Sequence, residues 1–114
     1  MKTFHERSAA RRRELEIALE RFLGVCRARP DVRAVYTFGS FAASKTGPRS
    51  DLDLLVVRET TVRGIERGAD LAIEADIGVA LDLIVVTPEE YDEKLPTTSF
   101  GRTVLSSARS VYAA

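Results

Sequence analysis

The run Leu52-Asp53-Leu54-Leu55-Val56-Val57 constrains the fold more than any other part of the chain. Alternate residues of a strand point to opposite faces. This run is apolar on both, which places it as a strand interior to a sheet. Its head is acidic. Asp51 and Asp53 are two residues apart, so they project together from one face near the strand's N-terminal end. Two neighbouring carboxylates repel, and one of them tends to keep its proton. A divalent cation between them removes the conflict, and hard cations such as Mg²⁺ prefer carboxylate oxygens.

The flanking segments predict a layered fold. Thr3-Phe4-His5-Glu6 has the form of a capping box. After it Leu15, Ala18, Leu19, Phe22, Leu23 and Cys26 recur at helical spacing, predicting an amphipathic helix that ends near Arg29-Pro30. Val32 to Phe38 reads as a strand, and Gly39 ends it. A short helix over Phe41 to Lys45 precedes the turn at Gly47-Pro48. Thr61 is the expected cap of a helix running through about Glu74. Val79 to Val86 is the third strand. Thr87-Pro88-Glu89-Glu90 starts a helix with a cap residue, a proline in the first turn and acids behind it, and Pro96 stops it. Ser99 to Ala108 is a final helix with Phe100, Val104, Leu105 and Ala108 inward, and Val111-Tyr112 a short edge strand. This order predicts an α/β or α+β domain with a small sheet. The 114 residues suit one domain, 1–114, with one core.

A third acid interrupts the third strand. Asp82 stands in an otherwise apolar run, where an unpaired buried charge would be costly. It must pair with a cation or face a cleft. If its strand lies beside Leu52–Val57, Asp82 joins Asp51 and Asp53 on one face. Three convergent carboxylates suit a two-metal site, with one ion on an incoming hydroxyl and one on nucleotide phosphates. Gly39-Ser40 supplies the other half. Glycine lets the backbone turn and a phosphate approach, Ser40 adds a hydroxyl, and Lys45 and Arg49 can neutralise a triphosphate.

Composition excludes several classes. Net charge is zero, so no overall basic field argues for nucleic-acid binding, and none is expected. Arg11-Arg12-Arg13 is expected to be a solvated helix face. One cysteine and one histidine make neither an intrachain disulfide nor a zinc site of the usual kind, and Cys26 is expected to be a small core residue. The polar, charged stretch Met1 to Arg13 lacks the apolar core of a signal peptide. No apolar run has the length of a membrane span, so the expected location is the cytoplasm.

Gly39 to Thr46 nearly matches a phosphate-binding loop of the G-x-x-x-x-G-K-[ST] form. Ser44 takes the second glycine's place, however, and Gly47-Pro48 follows where that motif needs a long helix. A phospho-acceptor receiver domain suits the length but carries its acids at strand C-terminal ends.

Gly39-Ser40, ten intervening residues and Asp51-Leu52-Asp53, with the contexts "RSDLDLLVV" and "LDLIVV", resemble the signature of the DNA polymerase β-type nucleotidyltransferase superfamily. The short chain is similar to its minimal nucleotidyltransferase (MNT) group. The resemblance implies a small mixed sheet flanked by helices. It implies that Gly39, Ser40, Lys45, Arg49 and Ser50 hold ATP, and that Asp51, Asp53 and Asp82 hold two Mg²⁺ ions and carry catalysis. It implies attack of a hydroxyl on the α-phosphorus, with release of pyrophosphate. Minimal members resemble the antitoxin of a pair whose toxin is a helical HEPN-type protein, so the implied act is AMP transfer to a tyrosine of that toxin. Homo- or hetero-oligomers are compatible with this. One departure is plain: many minimal members have Arg-Gly where this chain has Ala43-Ser44. Two other functions stay open at this point. One is an antitoxin that works by contact alone. The other is an antibiotic-modifying nucleotidyltransferase, since "GPRSDLD" also resembles the loop of those enzymes.

Overall fold

A computed structural model describes residues 1–114. Its elements run α1 (Phe4–Arg27), β1 (Val32–Phe38), α2 (Gly39–Ala42), β2 (Leu52–Arg58), α3 (Glu66–Ala75), β3 (Leu81–Val86), α4 (Pro88–Glu93), a 3₁₀ turn at Leu95–Thr97, α5 (Ser99–Ser107) and β4 (Arg109–Ala113). The four strands form one mixed sheet in the order β3-β2-β1-β4. β1 pairs antiparallel with β2 and with β4, and β2 pairs parallel with β3. The expected small mixed sheet flanked by helices is the architecture observed, with β2 inside it.

The apolar pattern of β2 has its physical reason in two cores. On one face Leu52, Leu54 and Val56 meet the α1 stripe (Leu15, Ala18, Leu19, Phe22, Leu23, Cys26) and Leu71 and Ala75 of α3. On the other, Leu55 and Val57 meet Phe38, Val86 and Val104, with Tyr91 and Leu95 packed against them. Tyr91 of α4 stacks on Tyr36 of β1, centroids 5.5 Å apart. Cys26 is fully buried, and burial pushes its thiol up to about 11, so it stays protonated as a small core side chain. No helix is long and apolar enough to cross a membrane.

The starts of α1 and α4 are the capping boxes expected: Thr3 with Glu6, and Thr87 with Glu90. Several placements differ. α3 starts at Glu66 rather than Thr61, because Gly64 takes φ +71°, a left-handed conformation that no α-helix continues through. α2 starts at Gly39 rather than Phe41 and is stopped by Ser44 at φ +57°. β3 starts at Leu81, two residues after expected, following a left-handed turn at Asp76 and Gly78. α5 is rolled so that Gly101 and Val104 face inward, while Phe100 is 63% exposed. The contact behind this is tight: a Cβ on Gly101 would run into the Leu95 carbonyl.

Candidate functional site

The strand register builds the site. Phe38, the last residue of β1, is the Cα partner of Asp53, and Asp53 is the partner of Asp82 across the parallel β2–β3 pair. Gly39, Asp53 and Asp82 are therefore neighbours across three adjacent strands. Asp51 stands just ahead of β2, two residues from Asp53. The acids share the face that is closed further along β2 and β3 by Leu55, Val57 and Val86. Asp51 and Asp82 are exposed and Asp53 is half-buried. Asp82 escapes the cost expected of a buried charge because β3 is an edge strand, open on the side away from β2.

None of the three acids has a basic partner within ion-pair distance; the eight ion pairs of the chain lie elsewhere. The Asp53 carboxyl is pushed up to about 6, first by burial, then by the charges of Asp82 and Asp51. As the side chains stand, no three acid, histidine or cysteine groups close to metal-ligand spacing. The donor set still suits a hard divalent cation: it is all carboxylate oxygen, electrostatically coupled and free of competing arginines.

Gly39 is demanded twice. Its φ is +71°, and a Cβ there would collide with Asp53 Oδ2 and lie 3.1 Å from its Cγ. A glycine that ends β1 is thus what lets the carboxylate lie against the backbone at the start of α2. Its N–H donates to Ser107 Oγ at 3.2 Å, so α5 anchors the turn. Ser40 Oγ lies 3.1 Å from Ser50 Oγ, which also accepts from the Gly47 N–H at 2.8 Å. Ser40 and Ser50 are therefore brought together beside Asp51. Lys45 and Arg49 are exposed and form no ion pair; Arg49 lines a cleft with Arg7, and Lys45 stands apart from it.

The arginine cluster is not simply a solvated face. Arg11 Nε donates to the Ser50 carbonyl at 2.9 Å, and Arg12 donates to the Phe41 carbonyl at 3.3 Å while its guanidinium lies 4.6 Å from the Phe41 ring centroid. Of the three, only Arg13 is exposed. A signal for this exists in the helical period: Arg11 and Arg12 are four and three residues before Leu15, on the flank of the apolar stripe. Ser107 was missed for want of a signal, since it lies 68 residues from Gly39.

The fold and the acidic strand pair define a class. The chain belongs to the nucleotidyltransferase domain family, whose model matches residues 19–111. Solved structures with the same fold include a toxin–antitoxin crystallised with AMP-PNP, 20% identical with a TM-score of 0.58, covering 83% of this chain and 73% of that one. Another is the toxin–antitoxin MntA–HepT, 18% identical with a TM-score of 0.53, covering 87% of this chain and 73% of that one. No curated protein matches the chain.

Proposed function

We propose that this nucleotidyltransferase moves AMP from ATP to a hydroxyl, a tyrosine, on a HEPN-type partner toxin and so acts as an antitoxin in the cytoplasm. The observation that carries this is the register of Asp53 opposite Asp82 with Gly39 against the Asp53 carboxylate. The likeness to toxin–antitoxin structures, one crystallised with AMP-PNP, supports both the nucleotide and the kind of partner.

Asp51, Asp53 and Asp82 would hold Mg²⁺, which supplies charge neutralisation on the phosphates and a lower pKa for the acceptor hydroxyl. Gly39 and Ser40 hold the phosphates on the β1 side. Asp82 lies at the open β3 edge, where a partner side chain has access. The acceptor oxygen forms a bond to the α-phosphorus and the bond from that phosphorus to the β-phosphate bridging oxygen breaks. Pyrophosphate leaves, and the hydroxyl proton passes to Asp82.

The test is α-phosphate-labelled ATP with Mg²⁺ and the co-purified partner. Label on the partner, absent from a γ-labelled control and lost in Asp53→Asn, is the expected result. Label from the γ-phosphate alone would mean a kinase.

A second reading is neutralisation by contact, which the loop departure at Ala43-Ser44 favours. It predicts that Asp51→Asn/Asp53→Asn still silences the partner in cells. Loss of silencing with complex formation intact rules it out.

A further inference from the structure

β3 is an edge strand, and its free edge is only half closed. In a parallel pair alternate residues of one strand bond to the other strand, and the residues between them point away. The Leu52 N–H donates to the Ala80 carbonyl, so the even-numbered residues of β3 serve β2. The backbone groups of Leu81, Leu83 and Val85 therefore face outward. Arg67, held by Glu90, donates to the Val85 carbonyl at 3.4 Å and closes the tail of the edge. No other side chain bonds to it, which leaves Leu81 and Leu83 with unpaired N–H and C=O groups on either side of Asp82. Unpaired strand edges are templates for another strand.

A cleft of about 380 Å³ runs along this edge on the α3 side and reaches Asp82. Ile65, Gly68, Ala69, Ala72, Leu83 and Val85 line it. Gly68 lets α3 approach β3 closely, since a Cβ there would lie 2.6 Å from Leu83 Cδ2. Ile65 is 95% exposed and Ile73, one turn beyond Ala69, is 78% exposed. Apolar surface gathered at one place marks an interaction site. Its surroundings are acidic: Glu66 and Asp76 at the two ends of α3, and Asp82, form no ion pair, against one free cation, Arg63. An occupant with basic flanks complements this charge.

Successive side chains of an added strand point to opposite faces. Side chains of paired residues share a face, so a residue opposite Asp82 projects over the acids and its two neighbours enter the α3-side cleft. We propose that the acceptor tyrosine is presented in this way. An extended segment of the partner adds to β3 as a fifth strand, with its tyrosine opposite Asp82, apolar residues on both sides of it and basic residues beyond. Leu81 and Leu83 hold the segment's backbone, and the cleft selects the neighbours of the tyrosine. The inference rests on the proposed AMP transfer, whose bonds made and broken are those given above, and adds the conformation and sequence pattern of the acceptor. Its test does not need turnover.

The probe is the peptide Lys-Thr-Val-Tyr-Val-Thr-Lys, titrated into isotope-labelled chain and followed by amide chemical shifts. One comparison peptide has serine in place of both valines. The other is N-methylated at the tyrosine and both valines, which removes its strand-pairing donors. The first peptide should move the Leu81 and Leu83 amides, and both comparison peptides should bind about tenfold or more weakly, the scale of losing apolar burial or backbone pairing. Ile65→Asp/Ala69→Asp, at two exposed positions, should weaken the first peptide by a similar factor and leave ATP binding unchanged. Ile17→Asp, at an exposed position on α1, is the control and should change neither; thermal melts check that each variant folds. Equal binding of the three peptides, shifts that spare Leu81 and Leu83, or no binding at all overturns strand addition while leaving transfer intact. A wild-type dimer in sedimentation that Ile65→Asp/Ala69→Asp dissociates also overturns it, because a second copy would then occupy the edge. If the first peptide binds as expected but α-labelled ATP never labels it or the partner, the strand-addition surface stands and transfer to tyrosine falls.

Discussion

The two ends of β2 carry opposite electrostatic designs. At the head, Asp53 faces Asp82 and Asp51, with no cation in reach and a carboxyl pushed up to about 6. At the tail, Arg58 is 11% exposed and donates to Asp31 at 2.6 Å and to Asp70 at 2.7 Å; Asp70 in turn takes Arg29 at 2.6 Å. Hydrogen bonds from Arg58 and then Arg29 hold Asp70 well below the usual carboxylate range. The same strand thus ends in satisfied charges where α1, α3 and the sheet are tied together, and begins in frustrated ones where nothing ties them. Unrelieved like charge at a strand's head lowers stability in the free protein. It makes sense where a cation and a nucleotide are to be bound.

The sharpest way to break this comparison is to neutralise each end in turn. Asp53→Asn should cut AMP transfer by at least about a hundredfold, the scale of losing one electrostatic contact to the reacting centre, with the melting temperature equal or higher. Arg58→Met should do the reverse. It strands Asp31 and Asp70, and after discounting their partial exposure it should cost roughly 2 kcal/mol in denaturant melts. Transfer per folded molecule should stay the same. Gly39→Ala should cost about 1–2 kcal/mol from left-handed strain alone, and should weaken nucleotide binding as well because the new Cβ displaces the Asp53 carboxylate.

The smallest effect is in pH, and its sign differs between the ends. Asp53 binds its proton more tightly folded than unfolded, so its contribution to stability is full below the ordinary value of 3.8 and is lost as pH rises through about 6. Asp70 is the opposite case. Its contribution is present above 3.8 and is lost as pH falls toward its depressed folded value. Melting curves in chelator between pH 4 and 7 should therefore show Asp53→Asn gaining on wild type as pH rises. A constant difference across that range would mean that neither burial nor its acidic neighbours raise the Asp53 carboxyl in the folded protein.

Much of this was legible because it rests on local rules. The α1 stripe, both capping boxes and the doubly apolar β2 follow from spacing alone, and the acids at its head follow from the alternation of strand faces. The pairing of Asp53 with Asp82 was readable only conditionally, since adjacency of β2 and β3 is a tertiary fact. What was not legible has a common cause. The late start of α3 depends on Gly64 choosing a left-handed conformation, and the roll of α5 on the tight approach of Gly101 to a carbonyl. The contact of Ser107 with Gly39, and the reach of Arg11 and Arg12 to the loop, depend on how distant elements dock. Local periodicity carries no information on docking, although the position of Arg11 one turn ahead of Leu15 hinted at its direction.

The most direct test of the central claim, that the head of β2 is a cation-dependent nucleotide site, is calorimetric binding of a non-hydrolysable ATP analogue with and without Mg²⁺. Wild-type protein and Arg58→Met should bind it only with Mg²⁺, and Asp53→Asn should lose that dependence together with most of the affinity. Binding that is equally tight without Mg²⁺ and indifferent to Asp53→Asn would contradict the account and move the nucleotide away from these acids.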